Sequence, residues 1–376
     1  MHKSNILKFI LPFLFIGSLS VMAFFTFLNA DKTYSENEKR MLNELPRFSW
    51  ESIASGEYQN MLESYAADHI PGRDFFVGVD AYFSKLLGKN TLSDIYYAKG
   101  GYLINAPKDD TKGNFTKNIK NFQKFSEAVG VDSTLLIVPT AGYIMKDKLP
   151  RLARDYADNE LFVKADELTP DISFLDTRRV MIDAYNEGKN IYYRTDHHLT
   201  SVGSYEVYKA YCDFNNIPYP VKSDYTIETQ DDFYGTTYSA SGYWLTDADS
   251  IEMWDLGEKI TVTLEENNSK KSNTMFFKEH FKNKDKYPVF LDGNHSYVHI
   301  QNTSAKAGNL LIVRDSYAQN LAPFLSHNYK NIYMIDTRYY RNSVKKLVKD
   351  KNIGSILYLY GLDTLITDNS SSWLFF

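Results

Sequence analysis

Cysteine is nearly absent. Cys212 is the only one in 376 residues, so no intrachain disulfide can staple the fold, and the compartment has to be read from other features. Cys212 falls late in a predicted helix, where a buried structural thiol is expected. A strong charge of one sign is missing as well. The net charge of −5 offers no field for nucleic acid, and no partner of that class is expected. There is no internal repeat and no low-complexity tract. What the chain does have in quantity is aromatic residues, 29 Tyr and 24 Phe. Tyrosine joins an apolar face to a hydroxyl, which suits sugar contacts, but it also suits core packing and sheet surfaces, and the packing reading is preferred. With 43% hydrophobic and 24% charged residues the composition is globular. The length fits one large domain carrying an insertion, or two domains.

The compartment is read at the N-terminus. Lys3 and Lys8 precede an uncharged, mainly apolar run from Phe9 to Leu28, which at ~1.5 Å per residue is long enough to cross ~30 Å of hydrocarbon. A signal-peptide core is usually shorter, and Leu28-Asn29-Ala30 is a poor small-x-small cleavage site. An uncleaved anchor is therefore expected, with a secreted product as the outcome if the segment is cleaved and a buried soluble helix as the bland alternative. Lysines before the span and acidic and polar residues after it place the body outside the membrane.

Residues 1–30 are thus read as a cytoplasmic stub and membrane anchor, and 31–110 as a stalk followed by a helical segment. The stalk, Asp31 to Trp50, is polar and aperiodic. Helices are predicted from Glu57 to Asp68 and from Phe75 to Leu87, interrupted by Pro71-Gly72-Arg73-Asp74, and Gly100-Gly101-Tyr102-Leu103 is a turn feeding a short strand. Residues 111–376 alternate helix and strand, the mark of an α/β sheet. Strands are predicted at Ser133–Val138, Asp171–Leu175, Asn190–Arg194, Leu310–Val313, Asn331–Ile335 and Ser355–Tyr360. Helices are predicted at Asn118–Val129 and Arg178–Asn186, with a third capped by Thr200 or Ser201 and running to Phe214. Short, nearly continuous apolar strands imply a parallel sheet flanked by helices on both faces. From about 216 to 307 the texture changes to short β-like runs such as Lys259–Thr263 and polar turns such as Glu265-Glu266-Asn267-Asn268, read as a β-rich insertion or lid.

Ligands in open α/β sheets bind at the carboxyl ends of the strands. Three loops are predicted there: Pro139 to Gly142, Thr195 to Thr200, and Arg314 to Tyr317. Asp196-His197-His198-Leu199-Thr200 supplies an acid and an imidazole, and Arg314-Asp315-Ser316-Tyr317 supplies a hydroxyl at a helix start. A nucleophilic hydroxyl needs a base, and the base needs a carboxylate to hold its tautomer. Asp196 and His198, two apart in an extended loop, can point the same way, and the amides of Ser316 or Tyr317 at the helix N-terminus are natural oxyanion donors. Each piece has a bland counterpart. Ser316 can be a helix cap, Arg314 and Asp315 loop partners, and His197 a packing residue. Two adjacent imidazoles and one carboxylate rarely all reach one ion, so no metal site and no cofactor are expected.

Tyr193-Arg194-Thr195-Asp196-His197-His198-Leu199-Thr200 resembles the signature of the DHHW proteins, with Leu199 in place of the final Trp. These are related to the alginate O-acetyltransferase accessory proteins, whose SGNH-hydrolase-like domains place a D-x-H pair before the Ser. The resemblance extends to Asp68-His69-Ile70-Pro71-Gly72-Arg73-Asp74, the Gly101-Tyr102-Leu103 turn, Val138-Pro139 and Asp232-Phe233-Tyr234-Gly235, covering about 35 to 365. It implies an SGNH-like fold and acetyl transfer to, or removal from, a secreted or cell-surface polysaccharide, often beside a membrane-bound O-acyltransferase. By position, Asp196 is the orienting acid, His198 the base and Ser316 the acetylated nucleophile. The oxyanion Gly and Asn of ordinary SGNH esterases have only candidates here, Gly142, Gly235 and Asn320. Arg194 and Tyr317 are candidate substrate contacts or structural residues. The alternative to an O-acetyltransferase or acetylesterase is a catalytically silent SGNH-like protein that binds glycan or scaffolds an envelope assembly.

Overall fold

Ile10–Leu28 shapes the N-terminal part of the chain, because hardly any of it is covered by the rest of the molecule. It belongs to helix α1, Lys3–Leu28, and is long and apolar enough to cross a membrane, which a signal sequence also is. A buried soluble helix is not what forms here. The structure, a computed structural model, describes residues 3–28, 32–35, 37–266 and 269–376. Asn29 and Ala30 of the cleavage-site reading and Asn267 and Asn268 of the polar turn lie outside the described residues.

The chain divides into two units. One comprises the chain up to Leu92 with Tyr238–Leu245, and the other comprises Ser93–Thr237 with Thr246–Phe376. In the first unit, helix α2 (Glu57–His69) is followed by α3 (Arg73–Leu86), and Gly72 takes the turn between them at φ 73°. The segment read as a stalk is folded onto α2. Tyr34–Ser35 pairs with Arg40–Met41, and buried Asp68 accepts hydrogen bonds from the Arg40 guanidinium and from the Asn43 amide nitrogen at 2.8 Å. A polar, aperiodic sequence hides this because its order comes from side-chain bonds to one carboxylate.

The second unit is built on an eight-stranded sheet. In chain order its main helices and strands are α4 (Asn114–Val129), β1 (Ser133–Val138), α5 (Asp158–Leu168), β2 (Ser173–Asp176), α6 (Arg178–Asn186), α7 (Ser201–Phe214), β3 (Thr226–Phe233), β4 (Asp249–Asp255), β5 (Ile260–Leu264), β6 (Lys270–Ser272), β7 (Tyr297–Asn302), β8 (Ala307–Arg314), α8 (Tyr317–Leu325), β9 (Tyr329–Ile335), α9 (Val344–Asp350) and β10 (Ser355–Gly361). The sheet order is β6-β5-β7-β9-β8-β10-β1-β2. From β9 through β8, β10 and β1 to β2 all neighbours are parallel, while β7, β5 and β6 extend the sheet antiparallel. The 216–307 stretch is therefore only partly an insertion. β3 and β4 form a separate hairpin, but β5, β6 and β7 belong to the central sheet.

Alternation along the parallel strands serves two cores. Leu136, Leu310, Ile312 and Leu357 pack on the face shared with α7 and α8. Leu135, Leu311, Val313 and Ile356 pack on the opposite face, with Phe115, Ile119 and Phe122 of α4. Burying each such side chain contributes roughly 1.5–3 kcal/mol, so the strand ends that carry the site stand on the firmest part of the molecule. α4 begins four residues before its predicted start. Its first turn hides behind Asn114 and Asn118, polar residues buried because the Asn118 amide donates to the carbonyls of Leu365 (3.0 Å) and Asp368 (2.7 Å).

One predicted strand does not form. Asn190–Arg194 makes only an isolated bridge, Tyr192 to Leu199. Two of its backbone bonds go to its own continuation, Thr200 N–H to Ile191 O at 3.0 Å and Tyr193 N–H to His198 O at 3.3 Å, and Arg194 O accepts from Leu103 N–H at 2.8 Å. The apolar run is buried as expected, but it folds back on itself instead of joining the sheet.

Candidate active site

The Ser316 loop is a strand-to-helix turn. β8 lies between β9 and β10 in the middle of the parallel sheet, and α8 starts directly after Ser316. Asp315 fixes this corner. It accepts from Tyr317 N–H at 3.0 Å and from Gly361 N–H at 2.9 Å, tying the helix start to the end of β10. Burial pushes its carboxyl up from the ordinary range despite these bonds. The Tyr317 amide is thereby occupied, which leaves the Ser316 amide of the two oxyanion donors expected from sequence. Arg314 is fully buried and turns to the neighbouring loop, donating to His295 O at 3.0 Å and Asn294 Oδ1 at 3.3 Å, with Asp336 Oδ2 at 3.9 Å. Both flanking residues are loop partners.

The Asp196–His198 loop has no strand behind it and is held by side chains instead. Asp249 at the start of β4 accepts from Arg194 N–H (2.8 Å), Thr195 N–H (2.7 Å) and the Thr195 hydroxyl (2.6 Å). Burial raises its pKa as well. Asp196 Oδ1 accepts from His198 N–H at 2.9 Å, a local turn closed by the carboxylate. Its Oδ2 accepts from the Thr236 amide at 2.7 Å and the Thr236 hydroxyl at 2.9 Å. A Cβ on Gly235 would stand 2.1 Å from Asp196 Cβ, so only glycine lets this segment come so close. Thr200 caps α7, accepting from Gly203 N–H at 3.1 Å, and this sets the exit of the loop.

The two loops bring Asp196, His198 and Ser316 together across 118 residues of sequence. His198 Nδ1 lies 2.5 Å from Asp196 Oδ1, and His198 Nε2 lies 2.7 Å from Ser316 Oγ. A carboxylate can only accept, so Nδ1 carries the proton and Nε2 presents its lone pair to the serine hydroxyl. Ser316 stands at the cap position with αR angles and makes no side-chain cap bond, so its hydroxyl is turned to the imidazole and not to its own helix. Asp196 and His198 are buried, while Ser316 is partly exposed.

His197 plays a different part. Its Nδ1 is 2.6 Å from the Thr236 hydroxyl. Since that hydroxyl donates to Asp196, His197 is the donor in a second chain that ends on the same carboxylate. Asp196, His197 and His198 have the atoms of a metal cluster, all within 4.8 Å of one another, but an ion there would have to displace the serine, Thr236 or the acid–base contact.

The other candidates are dispersed. Asn320 is buried and engaged, donating to Leu199 O at 3.2 Å and accepting from the Ser201 hydroxyl at 3.3 Å. The Gly235 amide donates to Thr195 Oγ1 at 3.2 Å. Gly142 lies in the turn after β1, where a Cβ would meet the Tyr156 ring at 2.0 Å, and it lines a cavity of about 20 Å³ with Asn105, Asp196, His197, Tyr317 and Asp363. Tyr317 donates its hydroxyl to His197 O at 2.6 Å, a structural use. The Arg194 guanidinium is half-buried, 3.5 Å from exposed Asp247 and over the Tyr102 ring. Leu199 is buried in the core.

Three residues of the site were not legible as such. Tyr287 stacks flat on His198, with ring centroids 3.9 Å apart and planes at 8°, and donates to Ser316 O at 3.2 Å. Nothing in its Tyr-Pro-Val surroundings marks it. Thr236 follows directly on the Asp232–Gly235 segment and was within reach, whereas Asp249 carries no local signal.

Two family models match the chain. The DHHW protein model matches residues 177–335 and so spans Asp196, His198 and Ser316, and the SGNH hydrolase-like domain of acetyltransferase AlgX matches residues 97–214. Comparison with curated proteins finds no match. Among solved structures, a DHHW family protein from Eubacterium siraeum is similar at 22% identity over 75% of this chain and 95% of that one, with a TM-score of 0.66. PatB1 of Bacillus cereus is similar at 17% identity over 73% and 98%, with a TM-score of 0.61. PatB1 with a sulfonyl adduct matches at 18% identity over 72% and 95%, with a TM-score of 0.60. At these identities the structural likeness bears on the fold alone, while the family models bear on the stretch holding the site: residues 177–335 are similar to the DHHW proteins and residues 97–214 to the SGNH hydrolase-like domain of AlgX.

Proposed function

We propose that this chain is an extracytoplasmic O-acetyltransferase or acetylesterase, anchored by α1, that acts on a cell-surface or secreted polysaccharide through an acyl-Ser316 intermediate. The observation that carries this reading is the unbroken relay from Asp196 through His198 to the Ser316 hydroxyl, at 2.5 and 2.7 Å. The match to an acetyltransferase domain and the exposed apolar N-terminal helix support it.

Ser316 Oγ attacks the carbonyl carbon of the acetyl donor as His198 Nε2 takes the hydroxyl proton, and Asp196 stabilises the imidazolium that forms. The Ser316 amide at the head of α8 faces the developing oxyanion. Collapse of the tetrahedral intermediate breaks the bond to the donor's leaving group, which takes the proton from His198. The acyl-enzyme then passes its acetyl group to a sugar hydroxyl or to water, with His198 again acting as base. A membrane-bound O-acyltransferase is the proposed source of the acyl group.

The test is acetate release from an activated acetyl ester by the full chain in detergent, compared with Ser316→Ala, together with mass analysis of the Ser316 peptide for one added acetyl group. Acetylation at Ser316, with acetate release abolished in the variant, is expected. Equal rates and an unmodified peptide leave only a silent glycan-binding or scaffold role. Adding acceptor polysaccharide separates transfer from hydrolysis.

A further inference from the structure

Helix α3 is amphipathic the wrong way round for a helix in water. Phe75, Phe76, Val79, Phe83, Leu86 and the following Leu87 are exposed, at 69, 47, 48, 56, 82 and 65%. At ~100° per residue they fall within an arc of roughly 120°. The face turned inward consists of Gly78, Ala81 and Ser84. That inner face is fully used. A Cβ on Gly78 would come within 2.8 Å of Trp244, the Trp244 indole donates to Asp74 O at 2.8 Å, and the Tyr82 hydroxyl accepts from Leu245 N–H at 3.1 Å. The small residues seat α3 closely on the 238–245 segment, so the large apolar side chains are left outside by design of the packing. In the Ser93–Thr237 and Thr246–Phe376 unit, by contrast, exposed apolar residues such as Leu152, Val163, Phe214 and Tyr339 are scattered along the chain, as is ordinary for a protein surface.

The position of α3 in its unit identifies what covers it. The end of α1 is held on α2: the Thr26 carbonyl accepts from the Tyr65 hydroxyl at 3.4 Å, the Phe27 and Tyr65 rings stack at 6.0 Å, and His69 Nε2 meets the Lys32 carbonyl at 3.1 Å. His69 is the last residue of α2, and α3 begins four residues later at Arg73. The inverted helix therefore starts one side-chain contact away from the point where the chain leaves α1. A helix with a broad Phe- and Leu-rich face and charged residues only off that face (Arg73, Asp74, Asp80, Lys85) is built for the boundary between headgroups and acyl chains.

We propose that α3 lies in the membrane surface with its Phe75–Leu87 face against lipid, so that the first unit is attached at two places, by α1 and by α3. This rests on the reading of α1 as a retained anchor. Cys212 is buried, so single introduced cysteines can be labelled selectively. The full chain is reconstituted in phosphatidylcholine–phosphatidylglycerol vesicles with an environment-sensitive fluorophore at Phe76→Cys, Phe83→Cys or Leu86→Cys, at Phe15→Cys in α1, and at Lys271→Cys on the sheet edge as an aqueous control. Labels at 76, 83 and 86 are expected ~5–10 Å below the headgroups, quenched by brominated lipid and no longer quenched by iodide. Iodide quenching at 83 and 86 equal to that at 271 overturns the proposal. So does protection from both quenchers, which means that protein covers the face. A label at 15 that brominated lipid fails to quench removes the anchor reading, and lipid quenching at 83 and 86 then still stands for α3 on its own.

Discussion

The two loops of the site reach the same accuracy by opposite means. The Ser316 loop inherits its position from a central parallel strand and a helix start, and needs one carboxylate, Asp315, to close the corner. The Asp196–His198 loop follows a segment that never joins the sheet, and Asp249, Thr236 and the Gly235 approach do the work that a strand does elsewhere. A hydroxyl placed by regular structure is hard to misplace, whereas an Asp–His pair placed by side-chain bonds is tunable and vulnerable.

Variants separate the two kinds of support. Ser316→Ala tests the rigid half and has the largest expected effect, a loss of acetate release of several orders of magnitude with little change in melting temperature. Asp249→Ala tests the held half. It leaves two amides and a hydroxyl without their acceptor, each costing about 1–3 kcal/mol when buried, so thermal unfolding is expected to drop markedly along with kcat. A melting temperature equal to wild type would show that the loop does not depend on this carboxylate.

The third loop sharpens the comparison through pH. Thr140 donates its amide (2.8 Å) and hydroxyl (2.9 Å) to buried Asp158, whose carboxyl burial pushes up to about 6 from 3.8. In the window between those values the folded chain holds a proton that the unfolded chain has released, so this contribution to stability is full below the window and is lost as pH rises through it. Asp158→Asn keeps both partners and removes the titration. Wild type is expected to lose on the order of 3 kcal/mol relative to the variant across that window, read by denaturant unfolding at several pH values. Parallel pH curves would refute it.

Thr236→Val removes the hydroxyl that donates to Asp196 Oδ2 and accepts from His197, and is expected to cost about 1 kcal/mol, which is about fivefold to tenfold in kcat, with unfolding little changed. The smallest effect is expected from Tyr287→Phe. It keeps the ring on His198 and loses only the bond to Ser316 O, so kcat is expected to change less than about threefold, while Tyr287→Ala, which removes the stack, costs more.

Legibility from sequence follows the same division. Ser133–Val138 and Arg178–Asn186 appear with the bounds read from their periodicity, because their neighbours in space repeat the same local pattern. The meeting of Asp196, His198 and Ser316 is legible because residue type and loop position coincide. Asn190–Arg194 misled because an apolar run says that a segment is buried but not which backbone it bonds. The partner of Asn320, Leu199 O, is not legible because an amide beside a serine carries no local sign of what it bonds. Asp249 and Tyr287 were invisible because each acts across a gap in sequence that no local signal spans. The β-rich stretch concealed that β5 and β7 complete the sheet, since antiparallel edge strands and a lid share one texture.

The tie between Asp315 and Gly361 sets a timetable. The corner that carries Ser316 is complete only when β10, the last strand of the sheet, is seated between β8 and β1. A chain still emerging, or cut short before that strand, has His198 and Asp196 in hand but lacks the tie that orders the Ser316 corner. The geometry around Ser316 is thus complete only once nearly the whole polypeptide is available to fold.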